Sequence, residues 1–480
     1  MNLSDLVSLL PVLILIAAAL ALLVAAAVRR SAHAASWITL TGLGAALLSV
    51  PAAGRSESLR VSDLIAVDGF TRFFTVLLLG TALVVCLLSI SYWRGRRGRR
   101  EEYYLLLLTA TVGTIVVVSS IHYVSLILGI EILSVSFFVL VAYRRHKAEA
   151  LEAGMKYLVL AGASTAFLLF GVALIYSEVG SLTFQDVVTS MATGPRLVAV
   201  AGAGLFLVGV GFKMSLVPFH LWTPDVFQAA PAPVVAFIAT ASKGAILALL
   251  LRYAPAVALY ESRSLMAVVV VISVLSMLTG NLLALRQRSL RRLLAYSSIA
   301  HMGYLLVALL AGGTRGPEAA GFYLIVYFLA TLCVFGVIVL RAGGQGEADD
   351  LDDFRALAWE RPGLAVVMAM GMLSLAGIPI TGGFLGKFYL LLAGASAELY
   401  PLAAVLVAAS VIGLFYYLRV VAGLFTSEPP GIGRYERGGS AGTATGLALG
   451  LLTAALTFLG VYPRPLLGLI AVAMRGVFGG

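Results

Sequence analysis

The chain has 480 residues; 61% are hydrophobic, only 12% are charged, and mean hydropathy is +1.01. No water-soluble globular domain has this composition, which excludes soluble enzymes. The net charge of +10 resides in arginines of short loops between apolar runs, a membrane-protein pattern that argues against nucleic acid as partner.

Read in chain order, apolar runs of membrane-crossing length predict fourteen spans, at approximately 6–28, 36–53, 70–92, 103–120, 123–143, 153–177, 197–228, 233–252, 264–285, 291–311, 321–341, 363–393, 400–425 and 443–461. The expected fold class is an all-α polytopic membrane protein in contact with the lipid bilayer. The run 6–28 reads as a retained first span, because no positive segment precedes it and it is too long for the apolar part of a signal peptide. A short apolar tail after Pro463 and Pro465 is expected on the surface.

Arginines and one lysine crowd the loops after spans 1, 3, 5 and 9: Arg29 and Arg30, the Arg94–Arg100 cluster, Arg144, Arg145 and Lys147, and Arg286, Arg288, Arg291 and Arg292. Loops after even-numbered spans are nearly bare. The positive-inside rule then places the odd loops in the cytoplasm and both termini on the outer, periplasmic side of a bacterial inner membrane. Cys86 and Cys333 each stand alone in an apolar run, so no iron–sulfur, zinc or disulfide spacing exists, and no glycine-rich nucleotide loop follows a strand pattern.

Spans 7 and 12 are too long for one straight crossing and carry helix breakers. Span 7 contains Pro218 and Pro224; span 12 contains Gly377, Pro379, Gly382, Gly383 and Gly386. Both are expected to unwind near mid-membrane, which survives only under protein or water cover. If spans 4–8 and 9–13 form two five-helix repeats, the breaks fall on the fourth helix of each. Corresponding breaks in two inverted halves mark an ion path. The expected divisions are 1–100 (accessory spans 1–3), 101–255 (first repeat), 256–426 (second, inverted repeat) and 427–480 (span 14 and tail).

Of five lysines, Lys156, Lys213, Lys243 and Lys387 lie in apolar runs, and Glu131 is the one carboxylate deep in such a run. Arginine stays protonated in proteins, while a buried lysine can lose its proton near neutral pH. A charge at the bilayer centre costs ~2.5–3.5 kcal/mol on insertion scales, so these positions are functional candidates. Two unit charges about 5 Å apart at an effective dielectric near 20 interact by ~3 kcal/mol, so moving Glu131 relative to Lys213 would capture or release a proton. Lys156 lies near enough to the Arg144–Lys147 loop to snorkel instead. His301, in the middle of span 10, suits a proton relay; the alternative is a neutral ring bonded to a neighbouring hydroxyl. His220 and Asp225 flank the span 7 break and either admit protons or cap the unwound turn.

The stretch from Lys213 through Pro218, His220, Trp222, Pro224 and Asp225 to Ala230-Pro231, Pro233 and Lys243 resembles the core of the antiporter-like membrane subunits of respiratory complex I. Three features are most similar to the subunit N branch of that family: Thr-Pro-Asp-Val at 223–226, Ala-Tyr-Ser-Ser-Ile-Ala-His-Met-Gly-Tyr at 295–304, and lysine at 387 where a sister branch would carry glutamate. The resemblance covers roughly 100–430; Ala229-Ala230-Pro231 departs from it where the family often has glycine before Ala-Pro.

The resemblance implies a fourteen-helix subunit of a proton-pumping NADH:quinone oxidoreductase, with residues at the positions of Glu131, Lys213, Lys243 and Lys387 forming a central hydrophilic axis. It also implies other membrane subunits as partners, protons and internal water as cargo and medium, and no cofactor in this chain. NADH, FMN, iron–sulfur clusters and quinone would belong to partner subunits. In this reading Glu131 modulates the Lys213 proton, Lys243 relays it with His301, and Lys387 controls exchange toward the outside. A multi-subunit cation/proton antiporter or a ferredoxin- or hydrogenase-linked relative would share the fold, and a scaffold that only transmits movement is a third possibility.

Overall fold

The computed structural model describes residues 3–53, 60–96, 98–192, 197–254, 259–260, 262–342, 348–426 and 443–478. The divisions expected at 255/256 and 426/427 border the segments 255–258 and 427–442. Those segments, like Arg97 of the arginine cluster, lie outside the described residues.

Among the described residues the chain is helical, with only isolated bridges in place of a sheet. In order, the helices are α1 (Leu3–Ser8), α2 (Leu10–Val28), α3 (Ala32–Ala53), α4 (Gly69–Trp93), α5 (Glu101–Ser119), α6 (Tyr123–Val141), α7 (Ala148–Val179), α8 (Phe184–Ala192), α9 (Leu197–Met214) and α10 (Trp222–Ala229). There follow α11 (Ala232–Phe237), a π-helical turn Ile238–Ser242, α12 (Lys243–Tyr253), α13 (Arg263–Leu285), α14 (Leu290–Ala311) and α15 (Arg315–Arg341). The last are α16 (Leu357–Glu360), α17 (Pro362–Ala376), α18 (Gly382–Ser396), α19 (Tyr400–Leu424), α20 (Thr443–Val461) and α21 (Arg464–Phe478).

Thirteen of the described spans are long and apolar enough to cross a membrane, with α11, the π turn and α12 counted as one. The expected span 12 is the broken pair α17–α18, whose halves have 15 residues each and complete the fourteen. Span ends carry the local signals that stop and start helices. Asp68, Ser262 and Ser289 cap α4, α13 and α14 by accepting from Thr71, Leu265 and Arg292 amides. Helices approach closely where side chains are absent: a Cβ on Gly171 of α7 would lie 2.5 Å from the Gly202 carbonyl of α9.

The core is the composite span α11–α12 with α14 and α15, which are almost wholly buried. Helix α15 packs against α4, α14, α17, α18, α20 and α21. The apolar tail is the amphipathic helix α21, which lays Ile470 and Met474 against α4 and α15 and leaves Leu469 and Val472 outward. One face of the bundle gathers the arginine-bearing loops, tied across by Arg30 to Glu102 and by Arg419 to the Leu285 and Gln287 carbonyls.

On the opposite face a buried ion pair joins α4 to α12. Arg252 donates to Asp68 at 2.9 Å and to Thr71 at 3.0 Å, and its guanidinium lies 4.8 Å from the Phe70 ring centroid. Burial would raise the Asp68 pKa, but the Arg252 charge and hydrogen bond, with those of Thr71, hold it below its ordinary 3.8. A depressed folded value means stabilisation that is present above the ordinary value and lost as pH falls through the folded one. Asp68→Asn keeps an N-cap acceptor but strands a buried guanidinium. It is expected to cost about 3–5 kcal/mol at neutral pH. Thermal unfolding of the solubilised protein measures this, and the gap between wild type and variant should close in acid.

Candidate functional site

The first break spans residues 215–221, between α9 and α10. Ser215 turns the chain with φ of +64°, and the Ser215 and Leu216 amides bond back to the Phe212 and Gly211 carbonyls. Neighbouring groups satisfy backbone polar atoms there. The Trp222 indole donates to the Phe212 carbonyl at 3.1 Å, and the Val217 amide donates to Ser276 of α13 at 3.0 Å. Lys213, one residue before the end of α9, is 4% exposed and donates to Ser134 of α6 at 2.6 Å. The Tyr157 and Phe212 rings flank its ammonium, with centroids at 5.7 and 5.6 Å.

Lys243 directly follows the π turn, a helix irregularity frequent at functional sites. It is fully buried, donates to Ser298 of α14 at 2.7 Å and lies 5.6 Å from the Phe227 centroid. Ser298 also shares a hydrogen bond with Tyr327 of α15 at 2.7 Å. His301 sits one turn along α14. Its Nδ1 meets the Tyr323 hydroxyl at 2.5 Å and its Nε2 the Tyr417 hydroxyl at 2.8 Å, and Tyr417 bonds Ser297. The Tyr327 ring packs against His301 with centroids 5.1 Å apart. Next to this cluster Asn281 donates to Tyr304 and accepts from Tyr416.

The second break spans residues 377–381. Gly377 has φ of +83°, and a Cβ there would lie 2.9 Å from the Lys387 side chain, so glycine is required on both counts. The Gly383 amide donates to Ser374 at 3.2 Å. Lys387 of α18 is 7% exposed, reaches back to donate to the Ala376 carbonyl at 2.8 Å, and lies 5.4 Å from the Tyr304 centroid. It thereby places positive charge at the negative, C-terminal end of half-helix α17.

The remaining expected residues fall into two groups. Glu131 is half-buried on α6 and accepts from Thr165 of α7 at 2.9 Å. It forms no ion pair with Lys213 among the described residues; Ser134, three residues along the same face of α6, takes the ammonium instead. The other group comprises Lys156 and Asp225 on the arginine-bearing face, and His220 in the first break. Lys156 is 46% exposed and pairs with Glu152 at 2.8 Å and Asp225 at 2.9 Å. Asp225 also pairs with Arg292 at 2.9 Å. His220 lies in the break, buried, with its Nδ1 unbonded among the described residues.

Sequence reasoning missed the neutral partners of the lysines and the arginine clamp below the first break. Arg144 donates to the Ala229 carbonyl at 2.8 Å, and Arg291 to the Ala230 carbonyl at 3.1 Å and to Asp349 at 3.2 Å. Two guanidiniums, one from the loop after α6 and one from the start of α14, thus hold the end of half-helix α10. The spacing Ser297, Ser298, His301 on one helix and Tyr323, Tyr327 on the next was a readable signal for the polar cluster, since each set shares a helix face. No group of three or more His, Cys, Asp or Glu is placed to hold a metal among the described residues.

The chain matches a family described as NADH:quinone oxidoreductase/Mrp antiporter, transmembrane, over residues 120–413. It is 45% identical to NADH-quinone oxidoreductase subunit N of Methylococcus capsulatus, covering 97% of this chain and 95% of that one. It is also 45% identical to subunit N of Ectopseudomonas mendocina, covering 97% and 96%. Among solved structures it is similar to a chain of respiratory complex I from Thermus thermophilus, with 33% identity, a TM-score of 0.82 and coverage of 96% and 99%. A chain of the Mrp complex from Dietzia sp. shares the fold at 20% identity and a TM-score of 0.86, covering 100% and 98%.

Ser298→Ala removes the hydroxyl that Lys243 and Tyr327 share. The buried ammonium then lacks its protein acceptor, an expected loss of about 1.5–3 kcal/mol. Thermal stability of the purified protein measures it, and Ser298→Thr should recover most of the loss.

Proposed function

The chain belongs to the NADH:quinone oxidoreductase/Mrp antiporter transmembrane family, in its NADH-quinone oxidoreductase subunit N branch, and from that premise we propose that it is a proton-translocating membrane subunit of NADH:quinone oxidoreductase. One observation carries the mechanism. Lys213, Lys243 and Lys387 are buried, and the hydrogen-bond acceptors they meet are neutral: two serine hydroxyls and one backbone carbonyl. A lysine locked to a carboxylate is held charged, whereas these three can exchange protons.

In the proposed route Glu131 modulates the charge of Lys213 from the far side of Ser134. Lys243 passes a proton through Ser298 toward the His301–tyrosine cluster, and Lys387 controls exchange toward the outside. The Lys213 and Lys243 clusters are not joined by a protein hydrogen bond among the described residues, so internal water is the carrier between them. The arginine-bearing face is cytoplasmic, both termini lie outside, and spans 4–8 and 9–13 act as two inverted repeats, each broken at its fourth helix. Lys156, Asp225 and His220 serve the cytoplasmic mouth; Asp225, held between Lys156 and Arg292, fastens α10 there more than it carries protons. NADH, FMN, iron–sulfur clusters and quinone act in partner subunits, and electron transfer there drives this chain.

Lys213→Ala in the assembled enzyme is expected to lower redox-driven proton pumping several-fold, with Glu131→Ala weaker in the same direction. Pumping by inverted membrane vesicles is measured against NADH oxidation and against the amount of assembled complex. Unchanged pumping per electron would sink the mechanism; loss of assembly alone would favour a scaffold. Co-purifying subunits separate this reading from a cation/proton antiporter, which the shared fold with an Mrp chain keeps in view.

A further inference from the structure

A cleft of about 560 Å³ opens on the arginine-bearing face, between the ends of α4 and α6 and the beginnings of α5 and α7. Its two levels have opposite chemistry. The deeper wall is apolar, built from Phe138, Val139, Leu151, Met155 and Leu158. Leu151, Met155 and Leu158 follow i, i+4, i+7 spacing and so form a stripe down α7. The stripe continues to Gly162, where an added Cβ would meet nothing within 4 Å. From Leu151 to Gly162 it runs about 16 Å at 1.5 Å per residue, close to the length of one acyl chain.

The rim is polar and basic. Arg99 and Arg145 line it, both exposed and without an ion pair among the described residues. Their backbones are anchored: the Tyr143 hydroxyl donates to the Arg99 carbonyl at 2.9 Å, and Arg144, next to Arg145, is bound to Ala229. The same wall holds the indole N–H of Trp93 and Oε2 of Glu102, buried polar atoms without hydrogen-bond partners among the described residues. Trp93 is only 5% exposed, and buried polar groups ordinarily find partners. The other oxygen of Glu102 already takes Arg30 at 3.0 Å, so the rim retains excess positive charge.

We propose that this cleft binds an anionic glycerophospholipid with a free head-group hydroxyl, of the phosphatidylglycerol class. Its phosphate lies between Arg99 and Arg145 and accepts from the Trp93 indole. Its head-group hydroxyl donates to Glu102, and one acyl chain lies along Leu151, Met155 and Leu158. The charge excess selects a phosphate-bearing head, and the apolar stripe demands a chain attached to it, which free phosphate lacks. The inference rests on the membrane-spanning fold and not on proton translocation.

The test places a photoreactive benzophenone side chain at Leu158 of the full chain in its native membrane assembly. That assembly is reconstituted in equal parts phosphatidylglycerol, phosphatidylethanolamine and phosphatidylcholine. The expected product is a lipid adduct enriched on the order of tenfold in phosphatidylglycerol over phosphatidylcholine. R99Q/R145Q should remove that enrichment, and millimolar inorganic phosphate should leave it intact. Equal yields from the three lipids, enrichment that survives R99Q/R145Q, displacement by inorganic phosphate, or an adduct to polypeptide would each overturn the proposal.

Discussion

A backbone polar group left unpaired in hydrocarbon costs several kcal/mol, and everything distinctive about this fold follows from how two broken spans meet that demand. At the first break the Trp222 indole answers the Phe212 carbonyl and Ser276 answers the Val217 amide. At the second, Lys387 answers the Ala376 carbonyl and Ser374 answers the Gly383 amide. Each repair draws a polar side chain into mid-bundle, and those side chains need cover from lipid in turn. That is why α12, α14 and α15 are almost wholly buried.

The two kinds of cation then divide the work. Arginine, permanently charged and able to fork, serves structure at the basic face. Arg144 and Arg291 hold the carbonyl end of α10, and Arg292 and Lys156 hold Asp225 on the same half-helix. The clamp draws on α7, α14 and the loop after α6, so the short α10 is a fixed strut rather than a loose end. Lys213, Lys243 and Lys387 lie in the interior, where a group whose charge can change would be useful. The clamp ties α10 to α14, and Ser298 of α14 is the partner of Lys243.

Much of this was legible because membranes impose simple rules. Span number, the two breaks and the three deep lysines follow from hydropathy, proline and glycine position, and the rarity of buried charge. For Lys156 a snorkelling position near the arginine loop was one of two readings, and the side chain is 46% exposed. The failures share a cause. Ser134 as the hydrogen-bond acceptor of Lys213 went unread, because distance across a helix pair is not written in one chain's hydropathy. The tyrosines around His301 were overlooked because tyrosine in an apolar run reads as packing. The π turn before Lys243 leaves no mark at all, since Ile238–Ser242 has ordinary helix-compatible residues.

The partners chosen for the lysines are not equivalent, and the difference bears on how a proton on one site is felt elsewhere. A serine hydroxyl both donates and accepts. Ser134 and Ser298 can therefore accept from an ammonium or, by rotating, donate to a neutral amine, so either state of Lys213 or Lys243 remains satisfied without backbone movement. The Ala376 carbonyl only accepts. A neutral Lys387 can still donate to it, but loses the charge that complements the end of α17. A proton arriving at or leaving Lys387 therefore changes the interaction that closes the second break, while one at Lys213 leaves the first break to Trp222 and Ser276. A change of charge at Lys213 would leave the hydrogen bonds of the first break in place, whereas one at Lys387 would alter that of the second.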